Sequence, residues 1–304
     1  MEIRQLEAFL AVVQKGSFTK AAEHLNLTQP SLSARIYQLE QNLQGSLFLR
    51  TKRPVQLTPL GEIFVSYVER GLNMLKAGQE AVHSAQLGIT GKVTVCCPFS
   101  LSTYLMPQVV NQFSQEYPLA ELYIETGYSD FVIRQLLDGM VNLAVAAAFP
   151  RYLTQTRPLL RLHDDMVVAA NSDHALASVQ KISLEELWQY QLLIIHWGTA
   201  FTAYFDSLYQ TRSSAEPVLH IPLAVALPMM RQSNRITFVP RRLAITAGLV
   251  ILDVPEFRFN WDTILVTRPG RNLTTIEQTF VDLVAAIFAK SSKAHFTSSR
   301  ISQA

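Results

Sequence analysis

At 304 residues the chain is long enough for two or three domains, and its 49% apolar content is ample for sizeable cores. No cationic leader followed by an apolar run opens it, and no stretch approaches about eighteen uninterrupted apolar residues, so export and a membrane-spanning helix are not expected. The net charge of +2 does not announce a nucleic-acid binder, but residues 1–60 hold seven basic side chains against four acidic ones, a local excess of the kind that phosphate contact requires.

Residues 2–14 place Ile3, Leu6, Phe9, Leu10 and Val13 at helical spacing, and Gly16 with Ser17 supplies a stop followed by the cap of the next helix. From 17 to 43 the pattern breaks into two short amphipathic pieces, with Phe18, Ala21, Ala22 and Leu25 on one face and Leu32, Ile36, Leu39 and Leu43 on the other. Between them Asn26 can turn the chain, the Thr28 hydroxyl can accept an orphan amide, and Pro30 falls in a first turn, where a missing N–H costs nothing. The second helix, over 28–43, opens on Gln29, Ser31 and Ser33. Short hydrogen-bonding side chains at a helix N-terminus suit a DNA major groove, since Gln pairs with adenine edges and the positive helix end favours phosphate. Residues 47–49 and 55–57 then read as two short strands around Arg50-Thr51-Lys52-Arg53-Pro54, a wing with three cations at its tip.

On spacing alone, such helix pairs are more often plain packing units than DNA readers. The stretches MEIRQLEAFLAVVQKGSFTKAAEHL, TQPSLSARIYQLEQNL and LFLRTKRPVQLTPLG, however, are similar residue by residue to the N-terminal domain of the LysR-type transcriptional regulators, almost without gaps over about the first sixty residues. The resemblance implies a winged helix-turn-helix at 1–58. In it Thr28, Gln29, Pro30, Ser31, Ser33 and Arg35 contact double-stranded operator DNA from the recognition helix, and Arg50, Lys52 and Arg53 do so from the wing. One departure is that the family usually places an Arg directly after the serine of the helix, whereas here Ala34 stands there and Arg35 follows. Neighbouring helix residues point about 100 degrees apart, which leaves open which position reaches DNA.

Thr58 and Pro59 look like the cap and first turn of a long helix to about Leu87, in which Phe64, Val68, Leu72, Leu75 and Val82 recur close to a heptad seam. Packing on its own chain is one reading of that stripe. The resemblance points to the other, a dimerisation linker helix at 59–88 that pairs with a second subunit, within a homotetramer.

Beyond Gly91 strands alternate with helices. Strands are expected at 92–97, 120–126, 143–148, 166–170, 192–196, 236–239 and 264–267, and helices at 104–117, 131–137, 184–188, 201–210 and 275–290. The pattern predicts two α/β lobes with largely parallel sheets and a cleft between them. The resemblance supports an effector-binding domain at 91–300 that looks like a periplasmic solute-binding protein, with lobe I at 91–162 and 267–300, lobe II at 163–266, and crossings near 162 and 266. It rests on LMPQVVNQFSQEYP, the Leu136-Leu137-Asp138-Gly139 turn and Phe238-Val239-Pro240; the family's glycine-containing turn before that last strand is replaced by Gln232-Ser233-Asn234-Arg235.

Ligands of open α/β sheets sit beyond the carboxyl ends of strands. Those ends carry Ser100, Ser102, Thr103 and Tyr128 in the first lobe and His196, Trp197, Thr199 and Phe201 in the second. Hydroxyls and helix N-termini there can hold a carboxylate, and with Phe99, Tyr128, Trp197 and Phe201 as apolar walls the expected effector is an organic or aromatic acid. Cys96 and Cys97 are adjacent, cannot easily close a disulfide, and read as buried strand residues rather than a thiol sensor; peroxide-sensing members of the resembled family use cysteines much later in the chain. His163, Asp164 and Asp165 alternate in direction on an extended segment, so a solvated crossing loop is favoured over a metal or acid–base site. Nothing forms a phosphate loop, a nucleophile elbow or a histidine pair with ligand spacing, so no catalytic residue, metal or cofactor is expected.

The sequence therefore points to a cytoplasmic transcriptional regulator whose DNA binding responds to a small molecule in the interlobe cleft, with RNA polymerase as a further partner that the resemblance implies. An exported solute-binding protein and an enzyme acting in the cleft are the alternatives. Export is opposed by the absent leader, and catalysis has no motif in its favour.

Overall fold

The computed structural model describes residues 1–49, 54–87, 91–210, 212, 218–230 and 234–296. It divides into two compact units, residues 1–86 with 137–140 in one, and 87–136 with 141 onward in the other. The wing tip Arg50, Lys52 and Arg53 and the Gln232-Ser233 part of the turn discussed above lie outside the described residues.

In the first unit α1 (Ile3–Lys15) ends where Gly16 takes φ 60° and its N–H donates to the Val12 carbonyl. Ser17 caps α2 (Phe18–His24) by accepting from the Lys20 N–H. Asn26 turns the chain at φ 55°, a left-handed value that asparagine tolerates better than most residues. Thr28 caps α3 (Gln29–Asn42), and β1 (Phe48–Leu49) pairs antiparallel with β2 (Gln56–Leu57). Phe9, Val12, Ala21, Leu32, Ile36 and Leu39 form a core with no more than trace exposure, in which the Phe9 ring lies 5.3 Å from Phe48 and 5.5 Å from Phe64. Burying each such large side chain contributes about 1.5–3 kcal/mol. Glu40 is buried as well, and its carboxylate accepts the Leu47 N–H at 2.8 Å, which fixes the exit of the chain from α3. Leu43, expected on the buried stripe, is 38% exposed because α3 ends one residue before it.

The long helix α4 (Pro59–Leu87) spans 29 residues. Its expected seam is divided: Val68 is buried in the helix-turn-helix core, with Phe64 and Leu72 packed against that core, while Leu75 and Val82 are exposed. The exposed apolar row is instead Leu60, Ile63, Tyr67 and Met74, at spacings of three, four and seven, continued by Leu75 and Val82. The two stripes run side by side, and burial rather than periodicity separates them.

The second unit begins with β3 (Lys92–Cys97), α5 (Phe99–Tyr104), α6 (Met106–Glu116), β4 (Glu121–Thr126), α7 (Ser129–Leu137), β5 (Leu143–Ala147) and α8 (Pro150–Gln155). The chain then crosses on β6 (Arg157–Ala170) to α9 (Leu184–Leu187), β7 (Gln191–Ile194), α10 (Thr199–Tyr209), β8 (Val218–His220), α11 (Leu223–Met230), β9 (Arg235–Pro240), α12 (Arg241–Thr246) and β10 (Val250–Leu252). It returns on β11 (Phe259–Thr267) and closes with α13 (Thr275–Phe296). The strand order is β4-β3-β5-β11-β6-β9-β7-β8, with β10 also on β6. Each lobe has a parallel trio, β4-β3-β5 or β9-β7-β8, flanked by the antiparallel crossing strands.

Two expectations are corrected here. Residues 163–165 are no crossing loop but the middle of the 14-residue β6, and β11 starts at Phe259 rather than 264. The cause is mutual pairing: β6 and β11 run antiparallel from Phe259↔Met166 to Thr267↔Arg157, so each satisfies backbone groups that a loop would leave to water.

Candidate functional site

The tip of α3 is open to solvent. Thr28, Gln29, Pro30 and Ser31 are exposed, and Ser33 and Arg35 are partly so. The Thr28 and Ser31 hydroxyls lie 2.8 Å apart, and the Gln29 amide donates to the Ser33 hydroxyl at 3.0 Å. These bonds order short side chains without burying them, so each keeps hydrogen-bonding capacity toward a base edge. Ala34 is the more exposed member of the Ala34-Arg35 pair. Tyr37, three residues further along and 56% exposed, shares that solvent face. Sequence reading passed over Tyr37, although the helical repeat that singled out Leu32, Ile36 and Leu39 as core also places it outward.

In the second unit a cavity of about 280 Å³ opens between the carboxyl ends of strands from both lobes. The structure brings Ser100, Tyr128, His196, Trp197 and Thr199 together there, along with Phe99. Ser102, Thr103 and Phe201 are corrections, for none of the three is part of the lining. The segment after β3 is the helix α5 and not a loop, and the Ser102 and Thr103 hydroxyls donate back to the Phe99 carbonyl at 2.8 Å each. Phe201 is 1% exposed; it packs inside the second lobe, 5.4 Å from Phe259 and 6.2 Å from Phe238.

The sequence reading missed Asp130, Phe149, Arg151, Tyr152, Leu223 and Trp261 in the lining. Phe149 to Tyr152 follow β5 directly, so the strand-end rule applied to that strand would have found them. Trp261 projects from near the amino end of crossing strand β11, where the rule does not reach. Gly198 takes φ +102°, and a Cβ there would come within 2.9 Å of the Phe149 ring. This position needs glycine for both reasons.

Phe99, Tyr128, Phe149, Tyr152, Trp197 and Trp261 give the lining aromatic walls, and its charges are matched. Arg151 is the one Lys or Arg among the described lining residues; it lies 2.9 Å from Asp130 and donates to the Tyr152 hydroxyl at 2.7 Å, which in turn donates to Asp130 at 2.8 Å. Burial, with the Asp130 contact, pushes the Tyr152 hydroxyl above the ordinary phenol range. Trp197 and Trp261 meet edge to face at 5.4 Å. Trp197 Nε1–H donates to the Phe238 carbonyl at 2.8 Å, whereas Trp261 Nε1 and Ser100 Oγ are buried with no hydrogen-bond partner among the described residues.

Elsewhere, Cys96 and Cys97 are buried on β3, and desolvation pushes their thiols up to about 11 and about 12. On β6, His163 and Asp165 face one way, 3.7 Å apart, with Asp262 hydrogen-bonded to the His163 ring. Asp164 faces the other way and is buried near Arg242. No group of three His, Cys, Asp or Glu side chains among the described residues could hold a metal ion.

A helix-turn-helix with an exposed polar tip, carried in one chain with a two-lobed α/β unit around a cavity with aromatic walls, is the architecture of a DNA-binding regulator with an effector-binding domain. The comparisons identify its kind. Residues 3–62 match the model of the bacterial regulatory helix-turn-helix protein, lysR family, and residues 86–289 match that of the LysR substrate binding domain. The chain belongs to the LysR family, as a DNA-binding transcriptional regulator with an effector-binding domain. Among its relatives is the HTH-type transcriptional regulator YybE of Bacillus subtilis, 26% identical over 95% of this chain and 100% of that protein. Another is the probable RuBisCO transcriptional regulator of Phaeodactylum tricornutum, 29% identical over 68% of each chain. The fold is shared with CbnR in complex with its target DNA (20% identity, TM-score 0.68, covering 94% of this chain and 100% of that one). It is shared as well with full-length OxyR of Pseudomonas aeruginosa (20% identity, TM-score 0.62, covering 95% and 94%). No helix among the described residues is long and apolar enough to cross a membrane.

Proposed function

We propose that a small molecule in the cavity between the lobes sets the operator affinity of this regulator, and that the chain works in the cytoplasm without catalysing a reaction. The observation that carries this reading is the cavity itself: its lining joins both lobes and includes two buried polar atoms lacking a partner among the described residues. A molecule that touches both lobes favours one arrangement of them, and it shifts an equilibrium only by its differential affinity for the two states.

In this reading the DNA-binding domain is 1–58, the linker 59–88 and the effector domain 91–300, with the lobe boundaries falling inside β6 and β11. Thr28, Gln29, Ser31, Ser33 and Arg35 choose the sequence, while Arg50, Lys52 and Arg53 add phosphate affinity. Self-association runs through the exposed row Leu60, Ile63, Tyr67 and Met74 with Leu75 and Val82, giving a homodimer and then a homotetramer. On the promoter RNA polymerase is the further partner.

The test is footprinting of the full chain on DNA upstream of its neighbouring genes, with and without a panel of small aromatic compounds, followed by titration of the protected fragment at several salt concentrations. Gln29→Ala should flatten sequence preference by about 1–3 kcal/mol. Arg53→Ala should weaken all sequences alike and reduce the salt slope by about one. No salt-sensitive attachment to any fragment, or equal effects from both substitutions, would refute the reading.

A further inference from the structure

Trp261 Nε1–H can only donate a hydrogen bond, and Ser100 Oγ can donate or accept. Both residues line the cavity, Ser100 at 2% and Trp261 at 6% exposure, and both polar atoms lack a protein partner among the described residues. A buried donor without an acceptor is costly, so a ligand that supplies an acceptor gains that hydrogen bond with little competing loss. The remaining walls include Phe99, Phe149, Tyr152 and Trp197, rings whose faces are electron-rich. Arg151 is already matched by Asp130.

Resting on the reading of this cavity as the effector site, we infer that the effector is an uncharged aromatic molecule with a carbonyl-type acceptor, received by Trp261 Nε1–H, with the Ser100 hydroxyl as second contact. A carboxylate could accept from the same two groups. It would, however, bring a full negative charge beside Asp130 and among aromatic walls, with no uncommitted Lys or Arg in the described lining; the first turns of α7, α10 and α11 that reach the lining return less than such an ion loses on leaving water. Size agrees with this assignment. An apolar cavity of about 150 Å³ accommodates benzene, so about 280 Å³ fits one substituted ring or two fused ones.

Calorimetric titration of the full chain with acetophenone, benzoate and isopropylbenzene separates the possibilities, because the three are close in size and differ in charge and acceptor. Acetophenone should bind about tenfold or more tighter than each of the others. Trp261→Phe, which keeps a ring and removes the donor, should bring acetophenone close to isopropylbenzene; unfolding followed by the fluorescence of Trp188 and Trp197 checks that this variant is folded. Ser100→Ala should weaken acetophenone severalfold and leave isopropylbenzene unchanged. Preference for benzoate overturns the charge assignment and leaves the cavity as effector site. An unchanged acetophenone advantage in Trp261→Phe overturns the donor assignment. Binding of none of the three overturns both this inference and the effector-site reading for molecules of this size.

Discussion

Replacing Asp164 by Asn removes a carboxyl that is 6% exposed in the middle of β6. It stands 3.9 Å from Arg242 Nε and accepts the Asp165 N–H at 2.9 Å. Two effects oppose each other there. Burial disfavours the charged carboxylate, while Arg242 and the backbone N–H groups favour it; burial wins, and the group is pushed from an ordinary 3.8 up to about 6. Arg242 is a weak counterweight, since burial lowers its own proton affinity and it is engaged with the Phe288 carbonyl at 2.7 Å and the Phe288 ring at 3.5 Å. The sign follows. Between about pH 6 and 4 the folded protein takes up a proton that the unfolded chain does not, so this carboxyl adds stability on acidification and withdraws it as pH rises toward 6. At about 1.4 kcal/mol per tenfold change in the proton equilibrium, the interval from 3.8 to about 6 is worth about 3 kcal/mol at most.

All three tryptophans, Trp188, Trp197 and Trp261, lie in the second unit, so urea unfolding followed by their fluorescence reports on that unit alone. Wild type should gain up to about 3 kcal/mol relative to Asp164→Asn between pH 6.5 and 4. A flat difference, or one of opposite slope, would refute the reasoning by showing that the Arg242 pairing outweighs burial.

Further expectations concern other parts of the chain. Leu32→Ala opens a hole in the first unit and should cost it about 2–5 kcal/mol; DNA binding should vanish while the tryptophan unfolding midpoint stays put, and a shift in that midpoint would refute the independence of the two cores. Ile63→Glu, at a side chain 62% exposed, should lower the sedimenting mass without unfolding the chain, and an unchanged mass would remove the exposed row of α4 from self-association. Gly198→Ala should destabilise the second unit by about 1–3 kcal/mol and abolish acetophenone binding in calorimetry; wild-type behaviour in both measurements would refute the glycine requirement. Cys96 and Cys97, with thiols raised to about 11 and about 12, should resist iodoacetamide at pH 8 until the protein is unfolded, and rapid native labelling would show that they are accessible.

The first unit was legible because its signals are local: Gly16, Ser17, Asn26, Thr28 and Pro30 each act within one turn of the position they mark. β3 was legible for the same reason, as a run rich in Val, Thr and Cys between Gly91 and Pro98. What failed to show was set by partners distant in sequence. RLHDDM reads as a polar loop until β11 is placed beside it, because ladder hydrogen bonds are invisible in a list of side chains. The stripe Phe64, Val68, Leu72 and the row Leu60, Ile63, Tyr67 have similar helical spacing, and only the position of the first core decides which one it covers. Phe99, Ser100, Tyr128, His196, Trp197 and Thr199 were found from strand ends. Trp261 was not, since it enters from the amino end of a strand.

The pairing of β6 with β11 over residues 157–166 and 259–267 has a mechanical consequence. Single-chain connectors would let the lobes gape like a clamshell about a few freely turning bonds; here the connection is a two-ply ribbon whose plies are stitched together along their length. Such a ribbon bends and twists as a leaf spring does, and a wide gape would tear several stitches at once. Ligand capture is therefore expected to shift the lobes by a small elastic deflection, and its energy is stored along the ribbon instead of being dissipated at a loose joint.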